Sequence, residues 1–157
     1  FINSYNRYPP VFIDDEFPLN LQDHFSSAIA TSDYDNDGDI DVVLNSDTGL
    51  LAGEAFLLDN QKGGNWLKLK LIGTSSNKDA IGDRATIFRF KHPRQVRERY
   101  AGSAFGAIES KTFHFGLGKG NKNVWIRINW PAGGYEWFKT REINTTLELV
   151  EGAGWSH

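Results

Sequence analysis

The stretch DYDNDGDIDVV, Asp33 to Val43, sets aspartates at positions 33, 35, 37, 39 and 41 around Gly38 and then runs into apolar residues. What flanks it decides the fold. SSAIATS (26–32) precedes it and IDVVLN (40–45) follows it. Both are short and rich in apolar and β-branched residues, and they read as strands. The acidic stretch is therefore the connection of a β-hairpin. Five unpaired carboxylates in one turn repel each other, so folding them together demands a cation. Hard oxygens at alternate positions suit Ca²⁺, which takes six to eight oxygens in flexible geometry. Mg²⁺, which holds its waters more tightly, and a solvated acidic turn without metal are the competing readings. Gly38 permits the sharp bend around an ion.

The candidate metal residues are Asp33, Asp35, Asp37, Asp39 and Asp41. Asp39 is expected to offer its backbone carbonyl, and Asp41 to close the site. The first half of this loop is similar to the EF-hand pattern, but the twelfth position counted from Asp33 is Leu44 where that pattern needs Glu. Coordination filled by the loop's own carboxylates leaves little room for a substrate, so a structural ion is expected.

Outward from the loop, period-two alternation continues. NWLKLKLIG (65–73) puts Leu67, Leu69 and Leu71 on one face and Trp66, Lys68 and Lys70 on the other. ATIFRF (85–90) and VWIRINW (124–130) alternate likewise, and TLELVEG (146–152) closes the series. Further strands are expected at 27–31, 40–45, 55–58, 95–101, 112–115 and 135–138. NQKGGN, GTSSNKDAIGD, GKGN and PAGG separate them as turns. The expected fold is all-β: a β-sandwich or jelly-roll-like domain over 63–157, preceded by one hairpin unit over 26–62 and an extended arm over 1–25. The clearest seam is 61–65.

Composition narrows the function classes. The chain has 157 residues, a net charge of −3 and a pI near 5.8, which speaks against a dedicated nucleic-acid binder. No window approaches the ~18 apolar residues of a membrane span. Without Cys there is no disulfide, thiolate metal site or Cys nucleophile. Without Met the chain reads as a processed product or a piece of something longer.

The residues now on the page resemble known families. AIATSDYDNDGDIDVVLNSDTG followed by EAFLLDN resembles an FG-GAP/VCBS-type propeller blade. NWLKLKLIGTSSNKDAIGDRATI (65–87), HFGLG (114–118) and INWPAGG (128–134) resemble the ASPIC/UnbV domain, found after such repeats in cartilage acidic protein and its bacterial relatives. Asp83, in IGDR, stands where that family usually has a small residue. A single blade cannot close a propeller ring, so the chain reads as part of a larger protein. The resemblance implies an extracellular, cell-surface or periplasmic setting, a Ca²⁺ cofactor, and adhesion or matrix contact with a protein or glycan ligand. It implies no reaction, and no enzyme is expected.

Other residues carry alternatives. Trp125, Trp130, Tyr135 and Trp137 are candidates for stacking on sugars, which would make the chain a carbohydrate-binding module of a secreted enzyme; filling a sandwich core is the competing role. HPRQVRERY (92–100) offers Arg94, Arg97 and Arg99 either to an anionic polysaccharide or to solvent. His114 could serve as a base or as a satisfied structural histidine. Asn144-Thr145-Thr146 fits a glycosylation sequon. YPPVFIDDEF (8–17) could add a strand to a neighbouring subunit, which would suit a filament or surface layer.

Overall fold

Leu67, Leu69 and Leu71 lie on one side of the strand Trp66–Ile72 and are almost completely removed from water. Burial of each such side chain contributes about 1.5–3 kcal/mol, so this alternation largely dictates which face of the strand turns inward. The computed structural model describes residues 2–3, 12–13, 25–47, 54–61, 64–100, 111–119 and 122–156. Among them there are strands and no helix, and so no helix long and apolar enough to cross a membrane.

In chain order the strands are β1 (Ile2–Asn3), β2 (Phe12–Ile13), β3 (Phe25–Ser32), β4 (Asp41–Asp47), β5 (Glu54–Leu58), β6 (Trp66–Ile72), β7 (Arg84–Phe88), β8 (Gln95–Glu98), β9 (Thr112–Gly116), β10 (Val124–Asn129), β11 (Tyr135–Thr140) and β12 (Thr146–Val150). Two sheets form a sandwich. One has the order β11-β10-β7-β8, the other β12-β6-β9. All neighbours are antiparallel except β12, which runs parallel to β6. Between the sheets lies a core of Leu67, Leu69, Leu71, Phe113, Phe115 and Leu149 from one side and Ala85, Ile87, Val124, Ile126 and Ile128 from the other. Trp130 joins it and is only 5% exposed, so it presents no ring to a ligand.

The N-terminal unit is a separate three-stranded meander, β3-β4-β5, antiparallel throughout. The expected hairpin is thus extended by a third strand. Of the expected arm, β1 and β2 pair with each other, Ile2 opposite Ile13; most of its remainder lies outside the described residues.

Three polar clasps tie the ends of the sandwich. Glu136, buried on β11, accepts the N–H groups of Gly152 and Gly154. Glu151 accepts those of Thr74, Ser75 and Ser76 and the Ser76 hydroxyl. Burial pushes its carboxyl up, but the hydrogen bonds from Ser76, Thr74 and Ser75 outweigh this and hold it below the usual range. Asn144, with φ 56, donates its N–H to the Trp66 carbonyl and accepts the Trp66 N–H on its side chain. Its amide nitrogen donates to Asn65 Oδ1, so the expected sequon residue is engaged in the fold.

Candidate metal centre

The acidic connection joins β3 to β4 and lies against the outer face of β6 and β9. Alternation on β6 sends Trp66 and Lys68 away from the core, and His114 on β9 sits directly opposite Lys68. These three side chains form the seat of the loop. Gly38 rests on Trp66 so closely that a Cβ there would lie 1.8 Å from the ring's Cδ1, and its φ of 101° is itself a glycine conformation. Asn36 takes φ 64 and turns its Oδ1 to accept from Lys68 Nζ at 2.8 Å.

Asp33 is the hinge of the arrangement. Its side chain is 1% exposed, and its Oδ2 meets Lys68 Nζ at 2.9 Å and accepts the Gly38 N–H at 3.1 Å. His114 Nδ1 lies 3.9 Å from the same oxygen, with its ring stacked on Trp66. Burial holds the His114 pKa below the usual imidazole range; Asp33 opposes this, while Lys68 and Arg97 add to it. The other oxygen of the carboxylate, Asp33 Oδ1, is buried and has no partner among the described residues. A buried carboxylate oxygen without a partner is costly.

Carboxylate oxygens of Asp33, Asp35 and Asp37 lie within 4.8 Å of one another. Three oxygens spread evenly around one Ca²⁺ at about 2.3–2.6 Å stand about 4.0–4.5 Å apart, so a group of this span needs only a small side-chain adjustment to close on such an ion. Within the turn, Asp35 Oδ1 accepts the Asp37 N–H, and Asp37 Oδ1 accepts the Asp39 N–H. Lys68 supplies one positive charge against five aspartates, which leaves a divalent cation room to balance the rest. These residues fit a hard ion: Asp33, Asp35 and Asp37 each bring a carboxylate oxygen to one place, and Asp33 still has a buried oxygen without a hydrogen bond among the described residues.

Asp39 and Asp41 lie outside that group of three. The carboxyl of Asp39 is pushed above its usual range, first by burial and then by Asp37, Asp41, Asp33 and Asp35. Its Oδ2 is buried without a partner among the described residues. Asp41, 1% exposed, accepts the Tyr34 N–H on Oδ2 and the Asn60 N–H on Oδ1. Its carboxylate thereby ties the start of the turn to the end of β5. Spacing alone placed Asp41 in the metal shell; the hydrogen bonds assign it this second task, which only the return of β5 makes visible.

The aromatic candidates divide. Trp125 and Tyr135 are 44% and 39% exposed on the outer face of β10 and β11, Trp137 is half-buried beside them, and Trp130 belongs to the core. The guanidinium groups of Arg97 and Arg99 lie over the Phe115 and Phe113 rings, at 5.8 and 4.9 Å from their centroids. Arg99 Nε also stands 3.9 Å from Asp83 Oδ1, at the edge of ion-pair distance. Asp83 is 1% exposed, both its carboxylate oxygens lack hydrogen-bond partners, and burial, partly offset by Arg99, pushes its pKa up to about 7. A cleft of about 330 Å³ beside β11 is lined by Ile126, Phe138, Leu147 and Trp155, with Glu142 and Glu148 among its polar groups.

The class defined by this architecture is an all-β module in which an acidic, metal-suited turn is seated on a two-sheet sandwich. The family model described as ASPIC and UnbV matches residues 73–155, and the chain belongs to that family. The match leaves out β6, although β6 is the central strand of the β12-β6-β9 sheet. No curated protein matches the chain.

Proposed function

We propose that the chain is a Ca²⁺-stabilised recognition module of an exported protein, working in adhesion or in contact with a surface or matrix. The observation that carries the calcium part is the gathering of one carboxylate oxygen each from Asp33, Asp35 and Asp37 within 4.8 Å of one another, with Asp33 Oδ1 buried and unpartnered among the described residues. The ion would fix the turn by meeting oxygens that otherwise repel, and Lys68 and Trp66 would pass that rigidity to the sandwich. The FG-GAP/VCBS-like motif and the family supply the support for an exported, non-enzymatic role. Calorimetric titration with Ca²⁺ tests the site: one ion per chain is expected, and Asp37→Ala is expected to weaken binding at least about tenfold, in line with loss of one charged ligand. Equal heats for the chain and the variant would refute it.

A further inference from the structure

The strand register brings an aromatic and cationic surface together on the outer face of the β11-β10-β7-β8 sheet. Antiparallel partners point their side chains to the same face. Trp155 bridges Trp137, Trp137 faces Arg127, and Arg127 faces Thr86. In the adjacent row Lys139 faces Trp125, and Trp125 faces Phe88. Three strand spacings of about 4.8 Å carry this surface over about 14 Å. The rows interlock: the rings of Phe88 and Trp137 are 5.4 Å apart, Lys139 Nζ lies 4.7 Å from the Trp125 ring, and Arg127 sits about equally near Tyr135 and Trp137. Trp155 and Trp125 are 58% and 44% exposed.

The polar groups on this face are unfinished. Arg127 Nε and Asn129 Oδ1 are buried and have no hydrogen-bond partner among the described residues. Arg84 is paired with Glu98, but neither Arg127 nor Lys139 has an ion pair among the described residues. Among the described residues two cations without an ion pair thus stand among flat rings, with Glu142 and Glu148 lining the cleft that Lys139 and Trp155 share. We propose that this face binds an acidic polysaccharide, with sugar rings stacked on Trp125, Trp137 and Trp155 and a carboxylate on Arg127. Sugar rings offer apolar C–H faces to the indoles. A hydroxyl can donate to Asn129 Oδ1, and a carboxylate can accept from the guanidinium. Neutral sugars would leave the two cations unanswered. Single-stranded nucleic acid would also stack on such rings, but its dense phosphates call for a more basic surface than two cations provide.

The inference names the ligand class for the recognition role proposed above and rests on that role. It does not rest on the ion, because the acidic turn sits on the outer face of the other sheet. The test titrates the whole chain with hyaluronan oligosaccharides, neutral maltooligosaccharides of equal length and a single-stranded oligonucleotide, in calcium and again in chelator. The readouts are tryptophan fluorescence and calorimetry. Expected are saturable binding of the acidic sugar in both buffers, binding of the neutral sugar at least about tenfold weaker, and loss of about tenfold or more on Trp125→Ala and on Arg127→Gln. Lys139→Ala, on the same exposed face, keeps the test open should the Arg127 variant fold poorly. Absence of acidic-sugar binding, equal affinity for the neutral sugar, tighter binding of the oligonucleotide, or indifference to Trp125→Ala and Lys139→Ala would overturn the proposal. A parent chain that binds calcium but no acidic sugar refutes this inference alone; one that binds the acidic sugar but no calcium refutes the calcium reading alone.

Discussion

Asp83 shows most directly what one side chain costs this fold. It is buried, its carboxylate oxygens lack hydrogen bonds, and Arg99 stands too far away to compensate fully. Burial outweighs Arg99 and raises its pKa to about 7. From about pH 4, the unfolded carboxyl range, to about pH 7, the folded state retains a proton that the unfolded chain has released. Stability therefore falls as pH rises through this window. Asp83→Asn is expected to match the parent near pH 4 and to melt higher at pH 8, by up to about 4 kcal/mol for a shift of about three pKa units. Thermal melts across that range check it; parallel pH profiles for parent and variant would show that Asp83 is not the group responsible. Position 83 was legible as a departure from the family pattern. The consequence was not, because it depends on which residues close over the carboxylate.

At the scale of the element, alternation made most strands readable. Leu67, Leu69 and Leu71 announced β6, and Val124, Ile126 and Ile128 announced β10, because in each strand these apolar residues alternate onto the face that meets the core. Boundaries moved by a few residues: β7 ends at Phe88, where a strand to Phe90 was expected, and Phe90 is 72% exposed. Pairing across long sequence distances left no local signal. The parallel contact of β12 with β6 and the meeting of Lys68 with His114 both arise from the sandwich as a whole. So does the seat of the acidic turn, whose residues were readable while its partners were not. That seat is open to a double-mutant cycle. Gly38→Ala is expected to destabilise by about 1–3 kcal/mol, because its Cβ would collide with the Trp66 ring in a strained conformation. In the Trp66→Ala background the same change should cost less. Additive losses in chemical denaturation would mean that the turn does not rest on Trp66.

At the scale of the molecule, the sandwich presents two different outer faces. One sheet carries the metal-suited turn on Trp66, Lys68 and His114; the other displays Trp125, Trp137 and Arg127. Apolar packing between the sheets holds both in place, and neither site has to give way to the other. The calcium half has the simplest thermodynamic consequence. An ion bound to the folded chain alone stabilises it by mass action, about 2.7 kcal/mol at a hundredfold excess over Kd, or about 5–10 °C for a chain of this size. The direct measurement is a pair of melting curves, one in calcium and one in chelator, for the parent and for Asp37→Ala. The prediction is a fall of that order for the parent on chelation and little or none for the variant. Superimposed curves for the parent would contradict it.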